Sequence, residues 1–255
     1  MIGTTRKWAA CIAPVCLLGS ACNGPSDSMS FHGADPEARQ SKEVVVLLHG
    51  LGRTSRSMNR MEKGLQEAGF LTINRGYPSR KHSIEELSET FLQPLVEDTL
   101  GKRGEGPIHF VTHSMGGILV RQYAERAGAE HIGRVVMLGP PNHGSEFPDR
   151  LGNFAPYRWI LGPAATELGT GSDDVPARLG KPRFEFGVIA GNRSRWNPLA
   201  WAWVPGPSDG IVSVESTQLE GMSEFRKVEA GHTFIMRNRE VIELATRFLK
   251  TGGFD

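Results

Sequence analysis

The chain has 255 residues, 39% hydrophobic and 22% charged, with 29 Lys and Arg against 28 Asp and Glu for a formal charge of +1. That length accommodates one α/β domain with a substantial core, and no shift in composition marks a second. A charge so near zero argues against nucleic acid as a partner, and all three cysteines, Cys11, Cys16 and Cys22, lie at the amino terminus, so the remaining chain can hold no disulfide.

At that terminus Arg6-Lys7 precede an apolar stretch over residues 8–19, and Gly19-Ser20-Ala21 lead to Cys22. Such a segment reads as an export signal covering residues 1–21. As a helix the stretch would reach roughly 18 Å, short of the roughly 30 Å hydrocarbon core, so a permanent membrane span is not expected. Its removal deletes Arg6 and Lys7 and no acid, taking the formal charge from +1 to −1. Leu17-Leu18-Gly19-Ser20-Ala21-Cys22 resembles a bacterial lipoprotein signal, which implies lipidation of Cys22 and a tether to a membrane of the cell envelope. Gly19 stands where that pattern usually has leucine, so ordinary secretory cleavage stays open, as does a Cys22 with no role beyond its small size. Residues 22–42 are polar and aperiodic, with Gly24-Pro25-Ser26 and Asp35-Pro36, and read as a flexible linker before a domain at 43–255.

The run Val44-Val45-Val46-Leu47-Leu48 has the continuous apolar character of a strand covered on both faces. Met58, Met61, Leu65 and Ala68 then recur at helical spacing up to Gly69, and Phe70-Leu71-Thr72-Ile73 reads as the next strand. Ile84, Leu87, Phe91 and Leu95 mark a helix that Pro94 should kink or shorten. A strand over 108–111, a helix over 115–127 and a strand over 135–138 follow. Residues 184–190 and, more weakly, 225–228 complete six strands, and the chain closes with a helix over 239–250 capped by Asn238. Alternating strands and helices predict an α/β fold: a mainly parallel sheet with helices on both faces.

The chemistry concentrates at strand ends. Thr112-His113-Ser114-Met115-Gly116-Gly117 follows a strand directly, and two glycines allow the tight strand-to-helix turn that would lift the Ser114 hydroxyl above the sheet as a nucleophile. In parallel sheets functional residues gather at the carboxyl ends of strands. Asp209, in Ser208-Asp209-Gly210-Ile211-Val212, and His232, in Gly231-His232-Thr233, follow the last two predicted strands in the order Ser, Asp, His. His49-Gly50-Leu51-Gly52 ends the first strand.

With these four motifs in order, residues 43–250 resemble α/β-hydrolases of the bacterial lipase and esterase type. The resemblance implies an α/β-hydrolase fold, a Ser114–His232–Asp209 triad, and an oxyanion hole made by the backbone amides of Leu51 and Met115. It further implies a serine ester hydrolase acting on acyl ester or lipid substrates through an acyl-enzyme, with no cofactor. Thr112 departs from the family, which usually has glycine or alanine there, and adds bulk where strand and helix approach. No hairpin is read before Val44, which implies a trimmed sheet.

Several residues compete for these roles. His143, in Asn142-His143-Gly144, is a rival base, whereas His49 is expected to anchor its turn and His113 to be unable to reach the neighbouring hydroxyl. Asp149 and the pair Asp173-Asp174 are alternative acids, and Asp209-Gly210 could be an ordinary turn. The segment from Arg75 to Lys81 could bind an anion but reads better as a solvated turn, and the other histidines, His32, His82, His109 and His131, suggest no metal site. About 45 residues separate the fourth and fifth strands, and their cluster of Phe154, Tyr157, Trp159, Ile160 and Leu161 reads as a cap or lid over about 145–182. Trp196, Trp201 and Trp203 could line an acyl pocket or pack the cap onto the core. A thioesterase, amidase or acyltransferase would use the same residues, and a silent scaffold that binds an envelope partner is the non-enzymatic alternative.

Overall fold

Val44–Leu48 forms the first strand, β1, and each of its residues is buried, as a strand covered on both faces requires. The computed structural model describes residues 43–104, 106–151, 159–193, 204 and 206–255. The expected export signal, Cys22 and the linker lie outside these residues, as do Phe154, Tyr157, Trp196, Trp201 and Trp203.

The remaining strands are β2 (Leu71–Asn74), β3 (Ile108–His113), β4 (Ile132–Leu138), β5 (Phe186–Gly191) and β6 (Glu224–Val228). They form one sheet in the order β2-β1-β3-β4-β5-β6. Every neighbouring pair is parallel, so the sheet among the described residues is wholly, not mainly, parallel. Side chains alternate along each strand into two cores. Val44, Val46, Leu48, Phe110, Met137 and Val188 face one, and Val45, Leu47, Val111, Val136, Leu138 and Ile189 face the other.

Helices cover both faces. The first core receives α2 (Ile84–Leu87), α3 (Gln93–Arg103) and α4 (Met115–Ala127), and the second receives α1 (Asn59–Glu67) and a carboxyl-terminal helix, Arg239–Thr251. Sequence signals set their ends. Ser83 and Glu86 form a reciprocal capping box at α2, and Asn238 Oδ1 accepts the Glu240 amide at 2.9 Å at the start of the last helix.

Pro94, expected to kink or shorten its helix, does not end the helical path. A π-helical turn over Ser88–Leu92 joins α2 to α3, so Pro94 falls in the first turn of α3, where its missing N–H costs least. The helical path runs on to Arg103.

Between β4 and β5 lie short helices α5 (Glu146–Leu151), α6 (Pro163–Thr166) and α7 (Val175–Arg178). A further short helix, α8 (Val214–Thr217), follows the Asp209 loop, which makes the carboxyl-terminal helix α9. Trp159 and Ile160 do not join a buried aromatic cluster: they are 87% and 51% exposed, and Leu161, next to them, lines a cavity.

Candidate active site

β3 ends at His113, and the next residue, Ser114, has φ 53° and ψ −122° before α4 begins. Among the described residues it is the one non-glycine at positive φ. Such backbone is uncommon for a serine and persists only where its surroundings fix it. Here the Ser114 amide donates to the Leu138 carbonyl at 2.9 Å and its own carbonyl accepts the Gly117 amide at 3.0 Å. Helix α4 also packs closely on β1. A Cβ at Gly116 would stand 2.8 Å from the Leu48 carbonyl oxygen, so only glycine fits.

Thr112 is accommodated from the opposite side. Its fully buried hydroxyl points to the Val136 carbonyl at 3.4 Å, and a Cβ at Gly117 would lie 3.3 Å from that hydroxyl. The space that Thr112 fills is space that Gly117 leaves free, and the turn keeps its shape.

Asp209 and His232 arrive from the loops after β5 and β6. Asp209 forms a turn and also faces the histidine, because its two oxygens act separately. Oδ1 accepts the Ile211 and Val212 amides at 3.0 and 2.9 Å, and Oδ2 accepts Nδ1–H of His232 at 2.7 Å. The His232 amide returns to the Asp209 carbonyl at 2.9 Å. The Asp209 side chain is fully buried, a setting in which a charge-assisted bond is strong.

Gly139, which the sequence reading did not single out, lies beside this pair. It has φ 54°, and a Cβ there would stand 2.9 Å from Asp209 Oδ2 and 3.3 Å from His232 Nδ1. The signal in the sequence is slight: a glycine directly after the strand neighbouring that of the serine.

Two further histidines hold the frame. His113 donates from Nε2 to the His232 carbonyl at 3.0 Å, and its ring centroid lies 4.8 Å from that of His232. Burial, then the neighbouring His232 charge, pushes its imidazole well below the usual range, so it stays neutral. His49 is buried, donates from Nδ1 to the Gly50 carbonyl at 2.9 Å, and accepts the Tyr77 amide at Nε2 at 3.2 Å. Its ring stacks on Tyr77 at 4.1 Å, and the Tyr77 hydroxyl donates to the His49 carbonyl.

The segment from Arg75 to Lys81 is therefore more than a solvated turn. Tyr77 and Ser79 are buried, and Ser79 Oγ accepts the Gly52 amide at 3.1 Å. The Arg53 amide donates to the Gly50 carbonyl at 3.2 Å. With its neighbours engaged in this way, the Leu51 amide has no acceptor among the described residues, and neither has that of Met115 at the start of α4.

Ser114 and His232 line one cavity of about 250 Å³, together with Leu51, Phe147, Leu161, Leu168 and Val212. The rivals stand elsewhere. His143 is exposed on the loop after β4, its amide bonded to the Ser216 carbonyl. Asp149 is exposed and holds Thr170 through both carboxylate oxygens, at 2.9 and 2.7 Å. Asp174 accepts the Gly171 amide at 2.8 Å.

Known proteins share this architecture. A lipase of Bacillus licheniformis, BlEst2 in its mature form, superposes with a TM-score of 0.68 over 86% of this chain and 94% of that chain at 19% identity. Phospholipase PlaB of Legionella pneumophila does so with a TM-score of 0.55, covering 69% of this chain and 45% of that one, also at 19% identity. These likenesses concern the fold. In sequence, 99 residues are 31% identical to N-(5-amino-5-carboxypentanoyl)-L-cysteinyl-D-valine synthase of Penicillium rubens, a stretch that is 37% of this chain and only 2% of that relative. Residues 45–243 match the alpha/beta hydrolase family. With most of its length covered by that match, the chain belongs to the alpha/beta hydrolase family.

Proposed function

We propose that the protein is a serine carboxylic ester hydrolase, lipase- or esterase-like, that works on acyl esters or lipids through Ser114, His232 and Asp209. The observation that carries this reading is the 2.7 Å bond from His232 Nδ1 to the buried Asp209 carboxylate, with Ser114 on the same cavity as the imidazole. Donation from Nδ1 leaves Nε2 with a lone pair, the form that can remove the serine proton. Ser114 Oγ attacks the ester carbonyl as His232 takes its proton, and Asp209 stabilises the imidazolium. The free amides of Leu51 and Met115 receive the oxyanion, where a single donor is worth about 3–4 kcal/mol. Collapse expels the alcohol, which takes the proton from His232, and leaves an acyl-Ser114 ester. Water activated by the same imidazole then releases the acid.

The cavity's apolar lining suits a short or medium acyl chain, and Phe147, Leu161 and Leu168 make the segment between β4 and β5 a cap over it. The likeness to a lipase and a phospholipase agrees with a fatty-acyl ester. The test is a panel of p-nitrophenyl esters of rising chain length with the wild type and Ser114→Ala. Hydrolysis best at short to medium chains and lost in the variant is expected. No hydrolysis by the wild type overturns the reading. From the sequence alone we further propose export and a lipid anchor at Cys22, which mass spectrometry of the amino-terminal peptide from envelope fractions tests: an acylated Cys22 supports it and an unmodified terminus refutes it.

A further inference from the structure

Two guanidinium groups flank the turn that carries the Leu51 amide. Arg53 is half-buried and lines the cavity with Ser114 and His232. On the other side of Gly52, Arg80 packs so that a Cβ at Gly52 would lie 3.9 Å from its Cδ and 3.5 Å from Leu161 Cδ2. Each has one weak backbone partner: Arg53 reaches the Thr233 carbonyl at 3.4 Å and Arg80 the Ile160 carbonyl at 3.5 Å. Among the described residues no carboxylate lies within salt-bridge distance of either. Glu146, beside the cavity-lining Phe147, has a buried Oε2 without a partner among the described residues, and burial raises its carboxyl above the usual range. Arg53 thus brings a positive charge to the lining of an apolar cavity, and Arg80 packs against the Gly52 turn beside it.

We propose that Arg53 and Arg80 form an anion-reading subsite, and that the preferred substrates are acyl esters whose alcohol portion carries a phosphate or carboxylate. The acyl chain enters the apolar cavity, the ester carbonyl meets the Leu51 and Met115 amides, and the alcohol side then passes the rim, where a planar guanidinium can hold an oxyanion through two parallel hydrogen bonds. This specificity rests on the ester-hydrolase reading above. The guanidinium groups take no part in bond making and act as specificity-determining residues.

The test uses three esters with one acyl group: 1-butyrylglycerol, its 3-phosphate, and 3-butyrylglycerate. For the wild type at low ionic strength, kcat/KM for an anionic ester exceeds that for the neutral one by on the order of tenfold, and about 0.5 M salt erodes the preference. Whichever anion gains more identifies phosphate or carboxylate as the preferred group. Arg53→Ala and Arg80→Ala lower kcat/KM for the anionic esters more than for the neutral one and so lose the preference, and Arg53→Lys recovers part of it. Equal rates on all three esters, or variants that lower every rate alike, overturn the subsite. Calorimetric titration of Ser114→Ala with the same esters separates the two claims. Absent wild-type turnover with a retained, Arg53-dependent difference in affinity defeats the hydrolase reading and keeps the subsite, whereas turnover without such a difference does the reverse.

Discussion

Gly139→Ala perturbs the site from a residue that has no side chain in it. The new Cβ would stand 2.9 Å from Asp209 Oδ2, closer than carbon tolerates, and 3.3 Å from His232 Nδ1, a tight contact. At φ 54° an alanine also carries a backbone cost of about 1 kcal/mol. Relief comes from moving the carboxylate by a few tenths of an ångström, which stretches a bond that now measures 2.7 Å. A hydrogen bond to a charged group is worth about 1.5–3 kcal/mol, so losing about half of it predicts a kcat/KM lower by about 3- to 10-fold. Stability should fall by about 1–3 kcal/mol. Gly104→Ala is the control, since Gly104 has φ 81° with nothing within 4 Å of a Cβ. It should lose stability through the backbone and keep its activity. Kinetics on p-nitrophenyl butyrate with urea denaturation of both variants decides the matter. Gly139→Ala with undiminished kcat/KM would refute the inference that this glycine makes room for the Asp209–His232 pair.

Other perturbations follow from the same framework. His113 resists protonation in the fold, so as pH falls below the ordinary imidazole range the unfolded chain takes up a proton that the native state refuses. Stability then drops by up to about 1.4 kcal/mol per pH unit. His113→Gln keeps a donor for the His232 carbonyl and removes this titration. The unfolding free energy of the wild type, measured in urea, should therefore decline more steeply from about pH 7 to about pH 5.5 than that of the variant, and parallel declines would contradict the assignment. Arg121 is buried and donates to Asn142, Pro176 and Leu179 carbonyls at 3.1, 3.2 and 2.9 Å, with burial lowering its pKa to about 10. Its loss in Arg121→Ala leaves those acceptors unsatisfied and costs about 3 kcal/mol in a denaturation experiment, with little recovery in Arg121→Lys because an ammonium cannot span them. Ser79→Ala frees the Gly52 amide and should lower kcat by about 3- to 10-fold with KM nearly unchanged; a change confined to KM would argue against a role in holding the oxyanion turn.

The strands and the candidate positions that follow them were legible because their signals are local. A continuous run such as residues 44–48 announces a strand buried on both faces, and the residues just after strands announce themselves as site candidates. At Pro94 the local signal was incomplete, because a π turn over Ser88–Leu92 ends just before it and puts it in the first turn of the next helical segment. Tyr77 and Ser79 were obscure for a different reason: their partners, His49 and Gly52, lie 28 and 27 residues away, and nothing in Arg75-Gly76-Tyr77-Pro78-Ser79 reveals which side chains turn inward. Gly139 belongs to the same class, since its role depends on two loops that close over it from residues 209 and 232. Trp159 shows the converse, an aromatic residue in an apolar cluster that the fold leaves 87% exposed.

The central claim is that Ser114 becomes the acyl carrier because His232, held by Asp209, draws off its proton. Diethyl p-nitrophenyl phosphate, which phosphorylates an activated serine, tests this most directly when the labelled peptide is mapped by mass spectrometry. Labelling at Ser114 in step with loss of ester hydrolysis, and much slower labelling in His232→Ala, is the predicted result. An active protein labelled at another residue, or one that keeps its turnover in Ser114→Ala, would contradict it.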